Sequence, residues 1–356
     1  MRNIASAQIG PLDPLIYGYS NARVKASRSL LVKSSQIAEL IDVRTMPAVL
    51  ELLERTPYKQ DLVAIGAKGA TVEQIELALG RHFARIAQKI RRITPKHDRP
   101  LVDAFLYRWD AHNLRVILLS KKVGKDQSHL FVPAGSVSEK RLAELSGSHD
   151  MSAFMGRLHS TPFGSAFFSS KPGRALLGKK LSFENAQDAI SAFELFYFEN
   201  LEKSALKAAR DSAFILSLNR AEIDAKNIST LLRLRKAGMN HEEALGYSVK
   251  GGTLKPSQLR HLSKLESVQE VEKYISRKFP LKQGSGAKGI GALETELERH
   301  LALAGIRTLR RSMLSVGAII GFLFLKEEEM NNIRKAVRAK ALGLSKEQAM
   351  EMLVEV

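Results

Sequence analysis

The sequence predicts an all-α protein built from three similar helical units, and three observations carry that prediction. The first is a skeleton that occurs three times: Asp110, Asn113, Leu114 and Gly124; then Asp224, Asn227, Ile228 and Gly238; then Glu329, Asn332, Ile333 and Gly343. In each copy the acid stands three residues before the Asn and the Gly eleven after it. The second is an apolar register, Ile37, Leu40, Met46 and Leu53. It returns without insertion as Leu142, Leu145, Met151 and Leu158, and again as Leu259, Leu262, Val268 and Ile275. The third is the lack of any sustained alternation of β-branched residues, so almost no strand is expected. The register recurs after 105 and then 117 residues, far above the roughly 20 to 50 of stacked solenoid repeats. The units therefore read as repeated domains, with boundaries at 1–130, 131–247 and 248–356.

Taken in order, Tyr17 to Val32 predicts a first helix, mixed in charge and free of Pro. Each unit then begins with short helices and a Pro turn: Thr56-Pro57-Tyr58, Thr161-Pro162-Phe163 and Phe279-Pro280. Pro in these places stops a helix and restricts the residue before it. Gly135-Ser136-Val137 precedes Leu142 as Gly252-Thr253-Leu254 precedes Leu259, small residues that suit a turn followed by an N-cap. Thr71 and Gln74 form a capping box that launches a helix through Ile75, Leu79, Phe83, Ile86 and Ile90 to a stop at Thr94-Pro95. Phe183 to about Lys236 has neither Pro nor Gly and reads as one or two long helices, a theme repeated from Leu293 to Leu342. The stretch Gly164 to Gly173 is rich in Gly and Ser and specifies no particular element.

Each unit closes on the acid–Asn–Gly helix. Apolar residues fall one, four and five after the Asn (Leu114, Ile117, Leu118; Ile228, Leu231, Leu232; Ile333, Ala336, Val337), which is one helix face. The Gly fits a left-handed stop. A basic residue eight after each Asn (Lys121, Arg235, Lys340) sits in the last turn, where it favours the negative end of its own helix by about 0.3–1 kcal/mol. Short tail helices are expected after the second and third Gly, from Asn240 and Ser345. The most apolar run, Met313 to Leu325, is 13 residues interrupted by Ser315, Gly317 and Gly321. A membrane span needs about 20, so the run reads as a buried helix.

The composition bounds the chemistry. A net charge of +18 suits phosphate backbones, anionic headgroups or an acidic protein partner. Lys and Arg are nevertheless spread along the whole chain, without the basic stripe interleaved with aromatics that single-strand binders use. A basic helical nucleic-acid-binding protein stands as the alternative reading. Absence of Cys excludes disulfides and thiolate chemistry, and the first 19 residues lack the apolar core of a secretory signal.

Gly284, Gly286, Gly289 and Gly291 contain the dinucleotide spacing, but Arg277 to Pro280 stands where the fingerprint needs a strand. A mobile linker between helices is the better reading, as it is for Gly66 to Gly69. A nucleotide site near Lys288 would be the enzyme alternative. The nine His form no metal-spaced pair. Asp110, Asp224 and Glu329 invite reading as catalytic acids, but a residue used three times at one position is better explained by support of the shared fold. The same holds for Asn113, Asn227 and Asn332, since a mid-helix Asn needs a structural partner. Trp109 reads as core. No catalytic, cofactor or metal residue is assigned, and partner-binding residues stay unspecified.

The order and spacing of these motifs resemble a known family. Tyr17, Tyr19, Asn21, Ala22 and Arg23 near the start, Tyr107, Asp110, Asn113 and Leu114 in the first unit, and Gly321, Phe322, Leu323, Lys326, Glu329, Asn332, Ile333 and Arg334 at the end resemble the C subunit of archaeal-type rotary ATP synthases. The eukaryotic relative is the d subunit of the vacuolar ATPase. The resemblance covers nearly the whole chain, and a threefold repeat is the family's own hallmark. It implies a funnel of three helical domains about a pseudo-threefold axis, without catalysis and without a cofactor. It further implies a central-stalk rotor part that couples the shaft of the soluble head to the membrane rotor ring. The location would then be peripheral, on the cytoplasmic face of the membrane, with no nucleic-acid partner.

Overall fold

The computed structural model describes residues 13–66, 71–208, 212–312 and 314–354. Among them there are eighteen α-helices, two short 3-10 turns and no strand, so the fold is all-α. The N-terminal helix α1 (Asp13–Arg28) is followed by α2 (Ser34–Asp42), α3 (Met46–Glu54), α4 (Lys59–Ala64) and the long pair α5 (Val72–Ile93) and α6 (Arg99–Val123). The same order returns with α7 (Glu139–Ser146), α8 (Met151–His159), α9 (Pro162–Phe168), α10 (Lys171–Leu177), α11 (Gln187–Lys207), α12 (Ser212–Lys236) and the tail helix α13 (His241–Gly246). A third pass gives α14 (Pro256–Lys264), α15 (Val268–Ile275), α16 (Ile290–Arg311), α17 (Val316–Ala341) and the tail helix α18 (Lys346–Glu351).

Local chemistry explains the boundaries. The Thr71 side chain accepts from Gln74 N–H while the Gln74 side chain accepts from Thr71 N–H, and α5 ends at Ile93 just before Thr94-Pro95. The Gly/Ser-rich middle stretch is helical. Thr161 and Ser170 cap α9 and α10, and Pro162 and Pro172 supply first-turn residues that need no N–H partner. The span from Phe183 to Lys236 forms two helices, α11 and α12, with residues 209–211 outside the described ones. Of the apolar run, Met313 lies outside the described residues, and α17 is buried without a break from Val316 to Met330.

Two compact units make up the chain. One joins Val32–Asp42 to the chain from 212 onward, and the other comprises residues 13–31 and Val43–Ala208. Compactness and repetition therefore divide the chain differently, because α2 leaves its sequence neighbours to pack on α17 and α18. In one unit α6 packs on α11, and the face Leu114, Ile117 and Leu118 shares a core with Leu142, Leu145, Phe154, Leu158, Phe167 and Phe193. In the other, α12 and α17 pack on α16, and Ile228 and Leu231 share a core with Leu259, Leu262, Val271, Ile275 and Leu293. Trp109 is buried against Phe83 and His112.

Candidate functional site

The three Asn residues make the same bond. Asn113 donates through Nδ2 to the carbonyl of Val132 and accepts at Oδ1 from the Val132 N–H, both at 2.8 Å. Asn227 does this to Val249 at 2.9 and 2.8 Å, and Asn332 to Val354 at 2.8 and 2.9 Å. All three Asn and all three Val are buried. A primary amide offers one donor and one acceptor in the geometry of a peptide group. Each closing helix thus pairs through its Asn with the backbone of a non-helical residue beyond it.

The first two acids hold the segment five residues further on. Asp110 accepts from the N–H groups of Ser136 and Val137 at 2.8 and 2.9 Å and from the Ser136 hydroxyl at 3.0 Å. Asp224 accepts from the N–H groups of Thr253 and Leu254 at 3.0 and 2.9 Å and from the Thr253 hydroxyl. Val137 and Leu254 stand five residues before Leu142 and Leu259, the first apolar positions of the next repeat. Glu329 follows the rule in an unexpected direction: its Oε2 accepts from the N–H of Val32 at 2.9 Å, and Val32 stands five residues before Ile37. Its Oε1 accepts from Lys326 Nζ at 2.5 Å, both side chains being about 4% exposed. The third repeat therefore grips the opening of the first.

Gly135 and Gly252 belong to the same device. A methyl group built on Gly135 would overlap the Asp110 carboxyl group, and one on Gly252 would overlap the carboxylate of Asp224. Their absence lets the backbone settle onto a short Asp. At the equivalent place before Val32 the chain has Leu30, and the acid there is the longer Glu329.

The closing Gly residues behave alike too: Gly124, Gly238 and Gly343 have φ of 68°, 83° and 66°. The N–H after each reaches back to Ser120, Leu234 and Ala339 at 3.2, 3.0 and 3.0 Å, the bond that closes a left-handed helix stop. The basic residues before these stops sit in the last turns of their helices, as the sequence suggested, and two of them also reach a neighbouring helix. Arg235 Nη1 donates to the carbonyls of Ser263 and Leu265 at 2.7 and 2.5 Å, at the end of α14. Lys340 Nζ donates to Ile41 at 2.6 Å, the matching position near the end of α2. These chains are long enough to reach the orphan carbonyls of a neighbouring helix. Lys121 instead stands over the ring of Phe183, 5.8 Å from its centre.

Burial pushes the Asp110 carboxyl up, against the two N–H groups and the hydroxyl that favour its ionised form, and nearby Asp103 adds to the rise; the result is about 6 rather than 3.8. The folded state thus holds this proton more tightly than the unfolded chain does. Stability from this group is full below pH 3.8 and falls as pH rises to about 6, by up to about 3 kcal/mol. Asp110→Asn should be destabilised at every pH, because its amide nitrogen meets N–H donors, and should lose that slope. Urea unfolding at several pH values between 3.5 and 7 checks this, and a persistent slope in the variant would assign it to another group.

The Gly-rich loop is not a mobile linker. The buried carboxylate of Glu272 accepts from Ser285 N–H and Oγ–H at 3.1 and 3.0 Å and from Gly286 N–H at 2.9 Å. Two N–H groups that a phosphate cradle would need are thereby taken by an internal anion, and Lys288 is paired with Glu351 at 2.5 Å. Of the second Gly pair, Gly69 lies outside the described residues. Among the described residues no group of three or more His, Asp or Glu is placed to hold a metal. Elsewhere, Asp61 accepts from Arg85 Nη2 at 2.6 Å and lies 2.8 Å from His82 Nδ1. Burial opposes ionisation of Asp61, but these bonds and charges outweigh it and hold its pKa at about 2.

The gripping side chains stand out in the sequence, whereas the backbone groups they grip do not. One signal was present: Val132 and Val137, like Val249 and Leu254, are five apart, at one fixed distance from the next register.

Fold and joints together define a helical repeat protein whose recurrent polar residues bind its own backbone. The chain belongs to the family described as ATP synthase (C/AC39) subunit, which it matches over residues 20–352. It is similar to the A-type ATP synthase C subunit of Thermococcus onnurineus, with 26% identity over 95% of this chain and 90% of that protein. The protein of the same name from Methanocaldococcus jannaschii is 23% identical over 97% and 88%, and that from a Desulfurococcus species 27% identical over 96% and 91%. No helix among the described residues is long and apolar enough to cross a membrane.

Proposed function

We propose that this chain is the central-stalk coupling component of an archaeal-type ATP synthase, an accessory rather than a catalytic part. In this reading the three repeats, 1–130, 131–247 and 248–356, stand around a pseudo-threefold axis as a funnel. The funnel receives the foot of the central shaft and rests on the membrane rotor ring at the cytoplasmic face. The observation that carries it is the order of the joints. Asp110 holds the opening of the second repeat, Asp224 that of the third, and Glu329 that of the first. A series of joints that returns to its start supports a closed arrangement, and stiffness is what transmission of torque demands. Asp110, Asn113, Gly124, Asp224, Asn227, Gly238, Glu329, Asn332 and Gly343 then serve the fold and not chemistry.

The charge of +18 gives the socket a use for long-range attraction to an acidic shaft end or to anionic headgroups, both weakened by salt. Photo-cross-linking in native membranes should capture shaft and ring proteins as neighbours of this chain, and the purified chain should lose affinity for them as salt is raised. A chain found free of any membrane ATPase, or one that keeps tight binding to nucleic acid near physiological salt, would overturn the reading.

A further inference from the structure

Repeats two and three differ at one matched place. In the second, Phe183 lies on the segment leading into α11, packs edge-on against Phe154 at 6.4 Å, and is covered by the Lys121 ammonium group. By the repeat offsets Phe154 corresponds to Val271 and Lys121 to Arg235. Around those two residues, where α12 at the close of the second repeat meets α14 and α15 of the third, there is an open cavity of about 330 Å³, walled by Leu231, Leu232, Leu262, Leu265, Val268 and Val271. No described residue fills it. Between Phe279 and α16 there is no aromatic residue, and Glu272 pins the intervening loop through Ser285 and Gly286.

We infer that this groove receives an aromatic side chain from a partner segment with acidic residues beside it. The second repeat supplies the argument for the ring, since the same scaffold there closes over Phe183. Arg235, fixed by the carbonyls of Ser263 and Leu265, stands where Lys121 stands and offers its guanidinium to a ring face. The rim supplies the argument for acidity. Arg235 and exposed Lys236 outnumber the single lining acid, Glu266, on a chain of net charge +18. The inference does not depend on the rotor role.

The test uses the full chain with labelled Ile, Leu and Val methyl groups, titrated with the peptide acetyl-Asp-Glu-Phe-Glu-Asp-amide. The methyls of Leu231, Leu262 and Val271 should shift saturably, while those of Leu114 and Leu142 in the filled counterpart stay still. Replacing the peptide's Phe by Ala should weaken binding at least about tenfold, and Lys236→Glu on the exposed rim should weaken it about threefold. Val271→Phe, the residue type of the second repeat, should abolish it; if that variant fails to fold, the peptide exchange and Lys236→Glu still decide. Absence of shifts at millimolar peptide, or equal binding of the Ala peptide, overturns the inference. A concentration-dependent dimer that Val271→Phe dissolves in sedimentation would also overturn it, by assigning the groove to a second copy.

Discussion

Asn332→Ala is expected to lower the stability of the isolated chain by about 2–5 kcal/mol, because it strips both hydrogen bonds from the buried peptide group of Val354. Each buried polar group left unpaired costs about 1–3 kcal/mol, and an Ala side chain can satisfy neither. Asn113→Ala and Asn227→Ala should fall in the same range, since the geometry is repeated to within a tenth of an ångström. Chemical denaturation gives the size of the loss. Amide exchange supplies the location: protection of the Val132, Val249 or Val354 N–H should fall selectively in the matching variant. Complexes that do assemble with Asn332→Ala should turn over ATP at the usual rate. A variant of unchanged stability with specifically lost turnover would move Asn332 from the fold into the chemistry.

The second large effect separates two kinds of glycine. Gly135→Ala should cost about 3–5 kcal/mol, because its methyl group would displace the fully buried Asp110 carboxylate from three donors at once. Gly124→Ala should cost only about 1–2 kcal/mol, the penalty for a left-handed residue with open space around it. Denaturation midpoints rank the two. A double-mutant cycle with Asp110→Ala sharpens the comparison, since Gly135→Ala should lose most of its effect once the carboxylate is gone. Equal costs at Gly135 and Gly124 would mean that the acid is not seated against the backbone.

What the sequence shows depends on whether a role demands a particular side chain. Asn113, Asn227 and Asn332 stand out because a mid-helix amide needs a reason, and Gly124, Gly238 and Gly343 because few residues tolerate a positive φ. Their partners, Val132, Val249 and Val354, offer only peptide groups, which any residue except Pro provides, so no side chain marks them, and only the distance to the next register picks out the first two. The Gly284–Gly291 loop misleads for a related reason. Its glycines suit a phosphate or a carboxylate equally well, and Glu272, which decides between them, lies twelve residues away from the first glycine on α15. Arg235 and Lys340 were legible as cations near a helix end, but not which helix end, since their reach spans the gap between neighbours. The all-α class and the capping box at Thr71 were open to reading from spacing and order alone, and the family from the resemblance of the quoted motifs to known members.

The grip of Glu329 on Val32 joins residues 297 positions apart. A ribosome adding roughly 5–20 residues per second needs about 15–60 s to cover that interval. Throughout it the apolar side of α2, with Ile37, Leu40 and Ile41, exists without α17 to cover it. Finishing the nascent chain is thus a timing event in its maturation, and the exposed α2 surface is the place where a chaperone has reason to wait.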